Sequence, residues 1–370
     1  MKPMPGIKET MNTEERLRAA MEGKPVDHVP FCPNLAYLWE TFPQDLQALG
    51  HHGFFDLIGC DHLHRFAPCP VKRIEPDIQR EESVSGGLTT VRLTTPVGSL
   101  QYAYRYSDVG NTRFLVEHPL KKPEDYKIRL WMEERTRFEA DYACVDAYMD
   151  SVGNKGVPIG MLIPERCKSA YQTLVEHEAG TEELIYAVAD YPEVVEELWS
   201  AMVRNNLKAV EIAARAGYDY FLTWEDSSTQ NYSPSQYEKY IAPEITQWCA
   251  ILKASGKRYI QHACGHVKAL LPSMKASGAF GIESISPAPT GNLTIADARA
   301  IAGPDFLIIG GLEPTEFLAR DGENLIEYTV ETIVQGGKAF VLANSDSCPP
   351  GVTVEKMRLV AQVARGTPGN

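Results

Sequence analysis

Two histidines and a cysteine crowd the stretch Tyr259–Lys268, YIQHACGHVK, where residues that favour a strand give way to residues that favour a helix. In an extended segment positions i and i+2 point the same way, so His262 and Cys264 can face one ion. An imidazole and a thiolate together suit Zn²⁺, at bond lengths of about 2.0–2.3 Å. An HxC pair also occurs as ordinary residues sharing a turn, so its position in the fold has to decide. Cys348 is the only cysteine that follows, and it supplies a third soft ligand if the fold brings it near. Glu225 is a fourth candidate at a position that substrate can take over, since catalytic zinc keeps three firm protein ligands and one exchangeable place. Glu225 and Asp226 are also candidates for moving protons, against the plainer reading of acids on a solvated helix entry. Tyr171, Trp224 and Asn344 are candidate substrate contacts, against packing as the plainer reading of each. His266 falls on the segment that follows and reads as a supporting or surface residue.

These residues need a scaffold that gathers distant positions. Short apolar runs alternate with helical patterns from residue 123 onward: VPIGMLI (157–163), YDYFLTWE (218–225), RYIQHAC (258–264), AFGIESIS (279–286), DFLIIGGLE (305–313) and KAFVLANSD (338–346). Helix-like segments follow at 234–254, 267–277, 294–302, 323–335 and 353–365. Strands apolar on both faces and separated by helices imply a parallel sheet. With earlier runs at HVPFCP (28–33) and FFDLIG (54–59) the count approaches eight. That predicts a (β/α)8 barrel rather than an open doubly wound sheet, and no glycine-rich dinucleotide fingerprint follows the first strand. Barrel active sites lie at the carboxyl ends of the strands, where the polar residues above concentrate. Asn12 with Glu15, and Ser233-Pro234 with Gln236, read as capped helix starts. Between about 71 and 118 the texture changes to alternating runs broken by Gly86-Gly87, Pro96-Val97-Gly98 and Gly110-Asn111. That is an antiparallel hairpin insertion in an otherwise single domain spanning 1–370.

The whole chain narrows the function classes. It has 370 residues, a net charge of −13 and 44% apolar residues. The acidic balance argues against sequence-independent nucleic-acid binding and against docking on an anionic membrane. No apolar run reaches the roughly 18 residues of a membrane span, and Met1–Thr10 lacks the apolar core of a signal peptide. A cytoplasmic protein is expected. The eight cysteines form no CxxC pair; Cys32, Cys60, Cys69, Cys144, Cys167 and Cys249 read as small buried hydrophobes.

The chain resembles the uroporphyrinogen decarboxylase superfamily, and within it the zinc-dependent methyltransferases that work with corrinoid proteins. The resemblance runs through nearly the whole length: NTEERLRAAMEGKPVDHVPF (12–31), TTPVGSL (94–100), VEHPLKKPEDY (116–126), IIGGLEP (308–314) and FVLANSDSCPPGVTVEKMRLV (340–360). YIQHACG (259–265) is similar to the zinc-binding HxCG of the methyltransferase branch. The resemblance implies that His262 and Cys264 are zinc ligands. The late cysteine of that branch lies a few residues before a proline pair, whereas Cys348 abuts Pro349-Pro350. Cys348 is the expected third ligand, since a third soft donor suits zinc, and Asp346 is its named competitor.

The arginine-rich stretch that the decarboxylases carry after the first strand is absent from FCPNLAYLWETFP (31–43). Arginine is the residue that binds carboxylates bidentately, so a smaller, less charged substrate is expected. The resemblance therefore implies methyl transfer between a small methyl donor or thiol acceptor and cobalamin carried by a partner corrinoid protein. A metal-free decarboxylase and a non-catalytic zinc- or corrinoid-binding scaffold are the alternatives.

Overall fold

The computed structural model describes residues 9–108 and 112–368. Residues 1–8, 109–111 and 369–370 lie outside the described residues, and with them the expected break at Gly110-Asn111. The strands in chain order are β1 (Leu63–Ala67), β2 (Val71–Ile74), β3 (Gln79–Ser85), β4 (Leu88–Thr95), β5 (Gly98–Ser107), β6 (Thr112–Glu117), β7 (Arg137–Ala140), β8 (Val157–Met161), β9 (Tyr220–Thr223), β10 (Arg258–His262), β11 (Gly281–Ile285), β12 (Leu307–Leu312) and β13 (Phe340–Asn344). Seven of them form one parallel sheet in the order β1-β8-β9-β10-β11-β12-β13. Each crossover carries helix, as the alternating pattern predicts.

The sheet closes through a very short eighth stave. Phe31 bridges Leu342 of β13 in parallel. Cys32 N–H donates to Leu342 O at 2.8 Å, and Leu342 N–H donates to Pro30 O at 3.0 Å. On the other side Asp61 N–H, just before β1, donates to Phe31 O at 3.0 Å. Prolines at 30 and 33 have no N–H to give, which keeps this stave short. The barrel is thus the (β/α)8 arrangement expected, with one correction. FFDLIG is not a strand but the end of the helix Gly50–Ile58, stopped by Gly59 at φ 71°. Phe54, Phe55 and Ile58 are its buried positions, at a spacing that fits a helix face, and periodicity alone does not resolve so short a run.

The two ends of the barrel differ. Alternate residues of the staves point inward, and at the amino ends these are Leu63, Val157, Tyr220, Ile260, Leu307 and Val341. The helix Thr13–Met21 plugs that end with Leu17, Ala20 and Met21. Its start is the expected capping box, in which Asn12 accepts from Glu15 N–H and Glu15 accepts from Asn12 N–H. One step up, Ile159, Leu222, Ile309 and Ala343 stay apolar, while Arg65, His262 and Glu283 bring buried polar groups into the interior. The insertion forms an antiparallel four-stranded sheet, β3-β4-β5-β6, and β2 pairs with β7 beside it. Among the described residues no helix is long and apolar enough to cross a membrane.

Candidate metal centre

Asp226, His262 and Cys264 each offer one donor atom, and the three atoms lie within 4.8 Å of one another. His262 is the last residue of β10, and Asp226 follows β9, the neighbouring stave. His262 Nε2 is 3.0 Å from Asp226 Oδ1. Cys264 Sγ is 3.7 Å from the same oxygen. Asp226 sits at φ 45°, a left-handed backbone that turns its side chain out of line with Glu225.

A buried chain of charge fixes the histidine. His262 Nδ1 hydrogen-bonds Glu283 Oε2, and Glu283 Oε1 is 3.0 Å from Arg65 Nε. Arg65 in turn donates to Cys32 O at 2.8 Å. A carboxylate that engages Nδ1 leaves Nε2 as the ring's free donor, which is how outer carboxylates orient metal-binding histidines. Lys168 reaches Asp226 from the other side, and also Glu176 at 2.8 Å.

The electrostatics follow from this packing. Burial disfavours charge on Asp226, but the hydrogen bond and charge of His262 and the ammonium of Lys168 outweigh it and hold the carboxyl well below its ordinary range. Burial likewise opposes charge on His262, and Glu283 with Asp226 more than reverses it, so the ring's pKa is raised. Burial pushes the Cys264 thiol up, only partly countered by His262. The donor set of imidazole, thiol and carboxylate suits zinc. An ion there would take over the role that the His262 proton now plays between Asp226 and Cys264.

The other predicted residues fall elsewhere. Glu225 faces away from the group: Ser169 N–H donates to Oε1 at 2.7 Å and Ser169 Oγ to Oε2 at 2.7 Å. Burial lifts its pKa to about 7. Asp226, not Glu225, stands beside His262 and Cys264. Cys348 lies in the apolar core, fully buried, with its N–H donating to Asn34 O at 2.7 Å. The structure does not bring it into the group, because the loop after β13 turns at Asp346 (φ 61°) and sends Cys348 inward toward the core. The Asp346 carboxyl feels His262, Asp226 and Glu283; burial, the largest influence, raises its pKa. Tyr171 is packed, its ring stacked on Tyr240 with centroids 4.5 Å apart. Asn344 clasps a loop: it accepts from Asn34 N–H at 2.9 Å and donates to Asn34 O at 3.1 Å. Trp224 does border the group, 5.0 Å from the His262 ring and stacked on Phe66 at 4.8 Å. Of the cysteines read as buried, Cys144 is exposed and Cys60 and Cys69 are half-buried.

Sequence reasoning missed Arg65, Lys168 and the orienting role of Glu283. A glutamate in the middle of the apolar run GIESI was a usable signal for the last. Nothing in the local pattern marks the other two. A cavity of about 1000 Å³ lies between the antiparallel sheet and the loop after β8, lined by Tyr37, Tyr102, Arg129, Arg166, Lys168 and His177 among others. Lys168 connects it to Asp226.

A family model described as Uroporphyrinogen decarboxylase (URO-D) matches residues 169–367. No curated protein matches the chain. Among solved structures, a methyltransferase from Methanosarcina mazei superposes with a TM-score of 0.61 at 12% identity, covering 95% of this chain and 98% of that one. At that identity the likeness speaks for the fold. A D-psicose 3-epimerase from Clostridium cellulolyticum H10 aligns over 60% of this chain and 81% of its own, at 10% identity and a TM-score of 0.35.

Proposed function

This chain belongs to the uroporphyrinogen decarboxylase family, and from that premise we propose that it is a zinc-dependent methyltransferase that exchanges a methyl group with a corrinoid protein. The observation that carries the proposal is the convergence of Asp226, His262 and Cys264, three kinds of donor within 4.8 Å at the carboxyl ends of two adjacent staves. Bound zinc would keep an acceptor thiol as thiolate at neutral pH, or polarise the heteroatom of a methyl donor. His262 and Cys264 would hold it, with Asp226 as the hard donor that substrate displaces.

The chain's own residues do the rest. Glu283 holds the proton of His262 at Nδ1, and Arg65 neutralises Glu283 so that the pair stays buried. Lys168 keeps Asp226 ionised and receives that carboxylate when a substrate atom takes its place. Trp224 stacked on Phe66 makes a flat apolar wall beside His262, suited to excluding water from a transferring methyl group. The cavity beyond Lys168 has room for a small substrate. The corrinoid would arrive on a separate chain at the open end of the barrel.

The rival reading, metal-free decarboxylation, draws on the arginines around that cavity. Two of them are already engaged: Arg73 and Arg129 each pair with Glu133 at 2.8 Å. That leaves less guanidinium for a substrate with many carboxylates. A scaffold role would call for a closed site with four firm ligands, against two firm donors and one displaceable one here.

The test joins metal analysis to an absorbance assay. Purified protein is mixed with methylcobalamin and candidate thiols, and separately with cobalt(I) cobalamin and methyl donors. The expected result is zinc that depends on Cys264 and a cobalamin spectrum that changes with one donor or acceptor. Zinc content unaltered by Cys264→Ala and His262→Ala together would overturn the reading.

A further inference from the structure

We propose that His52, His62 and His64 form a second metal site, outside the barrel wall, that takes a divalent first-row cation of the zinc type. One ring nitrogen from each lies within 4.8 Å of the other two. The sequence sets this up locally. His62 and His64 are an i, i+2 pair flanking the first residue of β1, so both point to its outer side, while Leu63 and Arg65 point inward. His52 comes down onto them from the helix Gly50–Ile58.

The geometry is close to what a tetrahedral ion needs. His52 Nδ1 and His62 Nδ1 are 3.1 Å apart. Two nitrogens bound to zinc at about 2.0–2.1 Å in a tetrahedron lie roughly 3.3 Å from each other. The His62 and His64 rings stack with centroids 3.6 Å apart. Closing on an ion therefore takes ring rotation, not backbone movement. His64 Nδ1 meets the Tyr148 hydroxyl at 3.1 Å, while its Nε2 is buried without a hydrogen-bond partner. That ring has a donor atom to spare, and a buried imidazole nitrogen left unpaired is costly.

Gly156 makes room: a Cβ there would stand 2.1 Å from His62 O and 2.8 Å from His64 Nε2. A groove of about 550 Å³, lined by Glu40, His51, His52, His62, His64 and Tyr148 among others, gives an ion a way in. Burial lowers the pKa of all three imidazoles, so they present lone pairs rather than protons at neutral pH. Imidazole donors suit zinc, nickel and copper over magnesium or calcium.

The experiment counts ions. Chelator-stripped protein is titrated with Zn²⁺ by calorimetry, and bound metal is measured after desalting. Wild type is expected to bind two equivalents, His52→Ala one, Cys264→Ala one, and the double variant none. Cobalt(II) bound to Cys264→Ala should show visible d–d bands without a sulfur-to-cobalt charge-transfer band. If His52→Ala and a second variant, His64→Gln, both melt like wild type in chelator yet retain every equivalent, the proposal is overturned; a Cys264→Ala protein that binds nothing overturns it as well. Failure of the barrel-mouth centre alone reads differently: one equivalent in wild type, lost in His52→Ala and kept in Cys264→Ala.

Discussion

Two groups of ligand-type side chains, one at the carboxyl ends of β9 and β10 and one outside β1, are built by different rules. At the barrel mouth His262 is held by the buried carboxylate of Glu283, itself paired with Arg65, and the ring is drawn toward its charged form. Outside β1, His52, His62 and His64 have no ion-paired carboxylate among the described residues, and burial keeps the rings neutral. One group is a charged network at the barrel mouth; the other is an all-imidazole cluster under a helix. Orientation by charge and orientation by packing are two ways to aim a histidine, and they should fail differently.

The sharpest way to break the contrast is Glu283→Gln. It leaves Arg65, 3% exposed, without its counter-ion. Removing one partner of a buried ion pair costs about 3–5 kcal/mol, and urea denaturation of the metal-free protein should show it. Zinc affinity at the mouth should also fall about 10- to 100-fold, as for other outer carboxylates. His52→Ala, which breaks the packed group, should cost far less stability.

Next comes pH. Burial takes His64 down to about 3 from its ordinary 6.5. A group lowered on folding contributes stability that is complete above pH 6.5 and is lost as pH falls toward 3. Stability of metal-free wild type should thus decline over that window, with His64 contributing about 5 kcal/mol. His64→Gln should flatten the decline by that amount, measured as the difference between two urea series. For His262 the sign reverses: a raised pKa contributes stability present at low pH and lost as pH rises through it.

Smaller effects sharpen the ligand assignment. Cys348→Ala opens a small void in the core and should cost roughly 1 kcal/mol while leaving zinc content unchanged. Cys264→Ala, at a partly exposed position, should stay within about 0.5 kcal/mol of wild type and yet lose the zinc of the barrel mouth. Thermal melts with metal analysis on the same samples distinguish the two. Were the outcomes exchanged, the loop after β13 would have to move Cys348 out of the core to reach the ion.

Six of the eight staves were legible because they carry continuous apolar runs between helical patterns, the mark of a sheet covered on both faces. A seventh, HVPFCP, was legible as a run, though its prolines cut the ladder to the bridge at Phe31. One was not. The true β1, LHRFA, carries a histidine outward and an arginine inward, so it does not read as apolar at all. The candidate metal group was legible where its donors share one strand end, as in HAC. It was illegible where a backbone turn decides, because the left-handed residues Asp226 and Asp346 set whether the acids and Cys348 face the mouth or the core. Lys168 could not be found from sequence, since its role depends on the loop after β8 lying against the end of β9.

The stave at Phe31 has a mechanical consequence. Three main-chain links, two to Leu342 and one from Asp61, are all that rivets it to its neighbours, so the ring of staves has one seam much weaker than the rest. Any breathing of the wall should begin there, with the amides of Cys32 and Leu342 trading deuterium ahead of those in β9 to β12. The seam runs up to Asn34, whose clasp on Asn344 and Cys348 anchors the loop carrying Asp346; unzipping it would slacken the rim of the mouth while leaving the plugged end tight.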